Sequence, residues 1–225
     1  MFHSTHVFTG ETIYRRPAQS YTEFTDELNR LQTLQQTFAQ SSIIERTALL
    51  QQFADSLTQN QERLAEMVCE EVGRCLHECR AEISKSIELI RYYVRLAPEL
   101  LSHKTIATQA SLSQVHFEPL GVVLAVMPWN YPVWQILRFA IPALCAGNAC
   151  AVKPAPSVAR ISETLFSLVP EGLPLIGAWL SHEDTLKAIE DTDAMAFTGS
   201  THTGRLLAAH AGKHLKKTVL ELGGS

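Results

Sequence analysis

A regular alternation of short apolar runs and helical stripes begins near residue 115, and it constrains the fold more than any other feature. The run GVVLAV at 121–126 is continuously apolar, as in a strand that is covered on both faces of a parallel sheet. Similar runs recur at 149–152, 173–180, 194–197 and 218–222. Between the first two runs, apolar residues recur at helical spacing: Trp134, Leu137, Ile141 and Leu144. Gly147 follows them, as expected near the end of a helix. Five strands separated by helices predict an α/β fold with a doubly wound, Rossmann-like parallel sheet.

The first hundred residues carry helical signals instead. Ser42 and Glu45 have the spacing of a capping box. A later apolar stripe includes Ile83 and Ile90, and we expect Pro98 to end it. We therefore predict a helical N-terminal segment over 1–114 that packs on a βα-repeating domain over 115–225.

Charge and composition exclude several classes of partner. The net charge is −4 with no block of like charge, which disfavours nucleic acid and anionic membranes. The most apolar stretch, 136–152, is interrupted by Arg138, Pro142 and Asn148, so it is too polar for a membrane span. The N-terminus lacks the pattern of an export signal. An odd number of cysteines, five, favours reduced thiols and a cytoplasmic location.

One cluster of potential metal ligands falls in the helical segment. On a helix, Cys75 and Cys79 share a face, whereas His77 points roughly 160° to 200° away from it. We therefore expect cysteines that pack between helices and no metal site.

The segment FTGSTHTGR follows a predicted strand and begins a helix. Gly199 allows close approach of the backbone, and Ser200 with the amides after it can hold an anion at the positive helix terminus. Gly199 and Gly204 also have the glycine spacing of a P-loop, but Arg205 and Leu206 stand where that motif needs Lys and then Ser or Thr. The pattern favours a phosphate cradle of another type over an ATPase, although a glycine at such a turn is often only a turn.

Two further strand ends carry polar groups. In MPWNYP, the amide of Asn130 can donate to a developing oxyanion, or it can satisfy carbonyls of its own loop. Trp129, the neighbouring residue, is as consistent with packing in the protein interior as with recognition of a ligand. In VKPAP, Lys153 can reach a ribose hydroxyl or a phosphate, whereas an isolated lysine would by default be a solvated surface residue. Carboxyl ends of parallel strands meet at one edge, so these groups together indicate a nucleotide site that faces a carbonyl site.

Four segments in this order resemble the aldehyde dehydrogenase superfamily: EPLGVVLAVMPWNYP, PALCAGNACAVKPA, FTGSTHTGR and LELGG. The segments ERTALLQQFADSLTQN and EVGRCLHECRAEI in the helical half are also similar to the family. The resemblance implies the family's NAD(P)-binding domain, NAD or NADP as cofactor, a small-molecule aldehyde as substrate, and a complete enzyme that is a homo-oligomer.

The resemblance also implies roles for individual residues. Asn130 matches the oxyanion donor and Glu221 matches the glutamate that activates water. The other matches are with cofactor-binding positions: Lys153 at the adenosine ribose, Gly199, Ser200 and Gly204 in the pyrophosphate loop, Trp129 near the nicotinamide, and Leu222. In this family a cysteine attacks the aldehyde, hydride leaves to the nicotinamide, and the resulting thioester is hydrolysed.

The nucleophilic cysteine of the family lies downstream of this glutamate, whereas the present sequence ends four residues after Glu221. Cys145 and Cys150 fall in a predicted apolar helix face and a buried strand, where thiols tend to be inert. We expect an N-terminal portion without the catalytic-cysteine domain, inactive by itself. The alternative is a truncated, non-catalytic nucleotide-binding or interaction remnant.

Two more departures bear on the branch of the family. Pro156 stands where many NAD-preferring relatives have a glutamate that binds the ribose hydroxyls, so repulsion of a 2′-phosphate is reduced. Ser225 stands where many members have lysine. With the KPAP segment, these residues resemble the bacterial succinate-semialdehyde dehydrogenase branch, which makes succinate semialdehyde a candidate substrate.

Overall fold

A short antiparallel hairpin precedes the helices. The computed structural model describes residues 1–224, so the argument from Ser225 lies outside the described residues. Strand β1 (Phe2–Thr5) pairs with β2 (Thr12–Arg16). The helical signals before residue 115 did not reveal this hairpin. The alternation of buried and exposed side chains in β1 spans only four residues, too few to stand out from a helical background.

Four helices follow the hairpin: α1 (Tyr21–Gln40), α2 (Ile43–Gln59), α3 (Gln61–Val72) and α4 (Leu76–Leu100). The predicted capping box is present, since Ser42 Oγ accepts from the Glu45 amide at 3.2 Å and Glu45 Oε2 accepts from the Ser42 amide at 2.7 Å. Helix α4 continues two residues past Pro98, to Leu100, although Ala97 is the last of its buried residues. A proline lacks only its own N–H, and the amide of Leu101 still donates to the carbonyl of Ala97 at 3.0 Å.

A second small hairpin, β3 (Lys104–Thr105) with β4 (Gln114–Val115), leads into the main sheet. Five strands then alternate with helices: β5 (Val122–Val126), α5 (Pro132–Cys145), β6 (Ala149–Lys153), α6 (Ala159–Ser167), β7 (Leu175–Gly177), α7 (His182–Asp191), β8 (Ala194–Gly199), α8 (Thr201–Lys213) and β9 (Lys217–Leu222). All five strands are parallel, in the order β7-β6-β5-β8-β9. The first of them lies in the centre and the chain winds away from it in both directions, which confirms the doubly wound prediction.

The N-terminal helices cover both faces of this sheet. On one face, Phe53 of α2 and Ile83 of α4 share a buried cluster with Val123 of β5. On the other, Phe24 of α1 packs in a cluster with Leu124 of the same strand. Successive strand residues point to opposite faces, so a strand covered on both sides is continuously apolar. The boundary between units at 114 and 115 stays a prediction.

Within residues 1–224, no helix combines the length and the apolar character that crossing a bilayer requires.

Candidate functional site

The carboxyl ends of β5, β8 and β9 border a cleft of about 500 Å³. The sheet order reverses at this point, because β6 follows β5 on one side and β8 lies on the other. Such switch points are where doubly wound sheets bind ligands. The cleft brings together five of the residues predicted from the sequence, namely Trp129, Asn130, Gly199, Glu221 and Leu222.

Asn130 and Trp129 lie in the loop between β5 and α5. The Asn130 Oδ1 atom accepts a hydrogen bond from the amide of Tyr131 at 3.1 Å, which orients the side-chain amide. Among the described residues, nothing accepts from its Nδ2 group, which remains able to donate to a ligand. Trp129 is 56% exposed, although it lines the cleft. An exposed indole is able to stack on a planar ligand.

A buried carboxylate on α4 holds the far end of this loop. Glu82 Oε1 accepts from the amides of Val133 and Trp134, both at 3.0 Å, at the first turn of α5. Its other oxygen forms an ion pair with Arg74, whose guanidinium lies 3.9 Å from the centre of the Tyr131 ring. The carboxylate thus satisfies two free amides of α5 and favours its positive terminus. Glu82 thereby positions the residues that directly follow Asn130.

Glu82 was not predicted from the sequence, although a signal was present. The buried stripe of α4 contains Cys79, Ile83 and Ser86, and Glu82 falls within it. A charged residue in an otherwise buried stripe requires a partner.

Glu221 forms an ion pair across the cleft. Its Oε2 atom lies 3.3 Å from a terminal nitrogen of Arg138 on α5, and both side chains are partly exposed. Among the described residues that line the cleft, Arg138 is the only cation. From the sequence, Arg138 was only an interruption of an apolar stretch. Its functional position depends on a contact between two segments 83 residues apart, which no local pattern reveals.

The glycine segment forms the turn between β8 and α8. Ser200 is the N-cap, and its Oγ accepts the amide of Thr203 at 3.3 Å. Gly199 lines the cleft, whereas neither Ser200 nor Gly204 does. A Cβ atom on Gly204 would lie 2.5 Å from Cδ2 of Leu222, so this glycine allows α8 to pack closely against β9. The helix terminus at Ser200, rather than Gly204, is suited to an anion.

Lys153 is the last residue of β6 and is only 4% exposed, so it is not a solvated surface lysine. Burial lowers its pKa to about 8. Among residues 1–224, no carboxylate lies within ion-pair distance of its ammonium group, whose nitrogen is 5.5 Å from the centre of the Phe2 ring. Lys153 does not line the cleft. A buried ammonium without a counter-charge gains the most from an anionic ligand.

The described cysteines lie away from the cleft. Cys145 is buried in α5, and burial raises its pKa to about 12. Burial also raises the pKa of Cys150 in β6. Thiols that stay protonated are poor nucleophiles. Cys79 packs in the core, but Cys75 is exposed at the N-cap of α4, so the prediction that both pack between helices was wrong for Cys75. The residue lies outside the helix, where helical spacing does not apply.

Known proteins resemble the chain throughout the described residues. The sequence profile of the aldehyde dehydrogenase family matches residues 1–225. A Synechocystis protein described as a probable succinate-semialdehyde dehydrogenase [NADP(+)] is 37% identical over 96% of the chain and 49% of its own length. The succinate-semialdehyde dehydrogenase [NADP(+)] of Deinococcus radiodurans is 33% identical over 100% of the chain and 48% of its own length.

A solved structure has the same fold. The succinic semialdehyde dehydrogenase of Streptococcus pyogenes, in complex with NADP+, superimposes with a TM-score of 0.95 at 28% identity. The alignment covers 100% of this chain and 51% of that protein. The chain therefore spans about half the length of the relatives that it matches.

Proposed function

The chain belongs to the aldehyde dehydrogenase family, and from this premise we propose that it is the cofactor-binding portion of an NAD(P)-dependent enzyme that oxidises an aldehyde to a carboxylic acid. One observation carries the proposal. A single cleft joins an amide donor, Asn130, a glycine turn at Gly199 and a carboxylate, Glu221, at the ends of three parallel strands. An oxyanion donor and a base beside a nucleotide turn are the groups that this oxidation needs.

The residues present fit a dinucleotide. Gly199 lines the cleft, and its lack of a side chain leaves room for the Phe197 ring, which a Cβ atom would approach to 2.5 Å. The amides after Ser200 would hold the pyrophosphate, and the buried ammonium of Lys153 would bind the ribose or its phosphate. When bound, the nicotinamide accepts the hydride. Trp129 and Leu222 would flank that ring at the cleft.

The protein groups would act in two stages. In the first, Nδ2 of Asn130 donates to the oxyanion that forms when a thiolate attacks the aldehyde carbonyl. In the second, Glu221 accepts a proton from water as that water attacks the thioester, and the thiolate leaves. The described cysteines are absent from the cleft lining, so we assign the nucleophile to a cysteine outside this sequence. The 225-residue chain alone would therefore not form the thioester.

Arg138 favours an aldehyde that carries a carboxylate. It contributes the cation of the cleft and already pairs with one carboxylate, that of Glu221, at 3.3 Å. A guanidinium binds a second carboxylate readily because it has five N–H donors in one plane. Succinate semialdehyde, named for both relatives above, has such a group. We therefore assign it as the substrate.

Pro156 supports use of NADP. It begins the short 3₁₀ turn that follows Lys153 and brings no carboxylate next to the ribose site. A 2′-phosphate would then meet the Lys153 ammonium without a repelling neighbour. NADP should be used at least as well as NAD, and the ratio of kcat/KM for the two cofactors in an enzyme containing this chain measures the preference.

The complete enzyme is proposed to be a cytoplasmic homo-oligomer. The five cysteines are free thiols, in keeping with a reducing compartment. Strand β9 is at the edge of the sheet, and Val219 on it is 62% exposed. An apolar edge strand of this kind is normally covered by another strand, from the same protein or from a partner.

The test uses the purified 225-residue chain with NADP+ and succinate semialdehyde. We expect saturable binding of NADP+ without formation of NADPH. Rapid NADPH formation would contradict the assignment of the nucleophile, and failure to bind NADP+ would contradict the cofactor site. The non-catalytic remnant is distinguished by the coding sequence after Ser225, because an open frame with a later cysteine supports the enzyme and an immediate stop codon supports the remnant.

A further inference from the structure

Three potential metal ligands converge where α7 and α8 end. Glu190 lies in the last turn of α7, His210 lies in the last turn of α8, and His214 is the C-cap of α8. Their ligand atoms all lie within 4.8 Å of one another. None of the three lines the cleft described above. The expectation of no metal site considered only Cys75, His77 and Cys79. The present cluster was not predicted, since Glu190 lies on another helix, 20 residues before His210.

The distances match those between ligands of one ion. Glu190 Oε1 lies 3.0 Å from Nε2 of His210 and 3.5 Å from Nε2 of His214. Bonds of about 2.0 to 2.2 Å in a tetrahedral zinc site separate neighbouring ligand atoms by about 3.3 Å. Only the two imidazoles need to come closer together. Their ring centres are 4.9 Å apart, and both side chains are partly exposed, so rotation can close the gap.

The surroundings also favour a cation. His210 and His214 lie four residues apart across the C-terminal end of α8, with their ring centres 4.9 Å apart. The C-terminal end of α8 carries partial negative charge, to which the carboxylate of Glu190 adds a full charge. A hydrogen bond without any metal would be enough to explain the contact between Glu190 and His210. The second imidazole, directed at the same oxygen, completes a set of three ligands.

We propose that Glu190, His210 and His214 bind a divalent transition-metal ion of the Zn²⁺ class, with water at the remaining position. Two imidazole nitrogens and one carboxylate oxygen form a donor set that Zn²⁺ accepts. The ion replaces the proton between Nε2 of His210 and Oε1 of Glu190, and the imidazole keeps its other proton on Nδ1. The bound ion would connect α7 to α8, the helix that begins after Ser200. The proposal is independent of the aldehyde dehydrogenase activity.

The test is a calorimetric titration of Zn²⁺ alone into the purified, chelator-treated 225-residue chain. We expect one ion per chain and a Tm that rises with Zn²⁺ concentration. His210→Asn, His214→Asn and Glu190→Gln should each weaken binding at least about tenfold, because loss of even an outer partner of a ligand costs about 10- to 100-fold. Circular dichroism of each variant checks that the chain remains folded.

Matched controls test other places where zinc could bind. Cys75 is an exposed thiol, and the rings of His103 and His116 are 3.9 Å apart. Cys75→Ser and the double variant His103→Asn/His116→Asn should keep the wild-type affinity. The proposal is overturned if Zn²⁺ does not bind, if folded His210→Asn and His214→Asn bind it normally, or if only the control variants lose it.

Discussion

Replacement of Glu82 by alanine tests how the loop that carries Asn130 is held. The change removes the acceptor of two amide hydrogen bonds at 3.0 Å, from Val133 and Trp134, and the counter-charge of Arg74. The Glu82 side chain is fully buried and that of Arg74 is 15% exposed, so water can replace little of what is lost. Removal of one partner of a buried ion pair costs about 3 to 5 kcal/mol.

This loss is large for a single domain, whose free energy of unfolding is about 5 to 15 kcal/mol. At roughly 2 to 4 °C per kcal/mol for a chain of this size, the Tm should fall by about 6 to 20 °C. Thermal and urea unfolding, followed by circular dichroism, measures both quantities. Glu82→Gln should fall between wild type and Glu82→Ala, because its amide oxygen still accepts from α5 but leaves Arg74 without a counter-charge.

A matched control is Glu62→Ala, which removes the partner of Arg80 in an exposed ion pair on the neighbouring helices. It should lower the Tm far less than Glu82→Ala, because water solvates both groups. If Glu82→Ala lost less than about 1 kcal/mol, the range of exposed pairs, the buried carboxylate would not hold α5 and the reasoning would be refuted.

Three further predictions concern the site. Burial lowers the pKa of Lys153 to about 8 in the folded chain, whereas the ordinary value is about 10.4. Between these two pH values the unfolded chain binds more protons than the folded chain, so the free energy of unfolding rises with pH. Lys153→Met should abolish this rise in urea unfolding and weaken NADP+ binding below pH 8. In Gly204→Ala, the new Cβ atom would lie 2.5 Å from Cδ2 of Leu222 and should displace this side chain. The substitution should therefore lower the Tm and weaken NADP+ binding. Adding Leu222→Ala to the same chain should restore the Tm. In an enzyme containing this chain, Arg138→Gln should raise KM for succinate semialdehyde at least about tenfold, because each charged hydrogen bond contributes about 1.5 to 3 kcal/mol. The KM for an uncharged aldehyde should rise less. Equal effects on both substrates would contradict the role of Arg138.

The sheet and much of the cleft could be predicted because their signals are local. A strand covered on both faces is continuously apolar, and the turns after β5 and β8 carry proline and glycine at fixed places. These signals located Asn130 and Gly199 without any contact information. Because neighbouring strands are parallel, their carboxyl ends lie at the same edge of the sheet. No further sequence pattern is needed to bring the residues at those ends together.

Other features depend on contacts between distant segments and were not predicted. Arg138 becomes a site residue only because α5 packs beside the end of β9, and Glu82 only because α4 crosses the start of α5. Lys153 was placed correctly at a strand end, but its burial was not predicted, and Phe2 of the distant N-terminal hairpin lies 5.5 Å from its ammonium group. The strand ends were therefore predictable from the sequence, whereas the residues that orient the site depend on tertiary packing between distant helices and strands.

The central claim is that the cleft beside Trp129 and Asn130 is the NADP+ site, and a fluorescence titration tests it most directly. Trp129 is 56% exposed at the cleft, so a bound nicotinamide should quench it. Titration of NADP+ into the purified chain should give a saturable loss of tryptophan fluorescence. Trp129→Phe should remove most of this signal. No saturable change in the wild-type chain, or the same change in Trp129→Phe, would contradict the account.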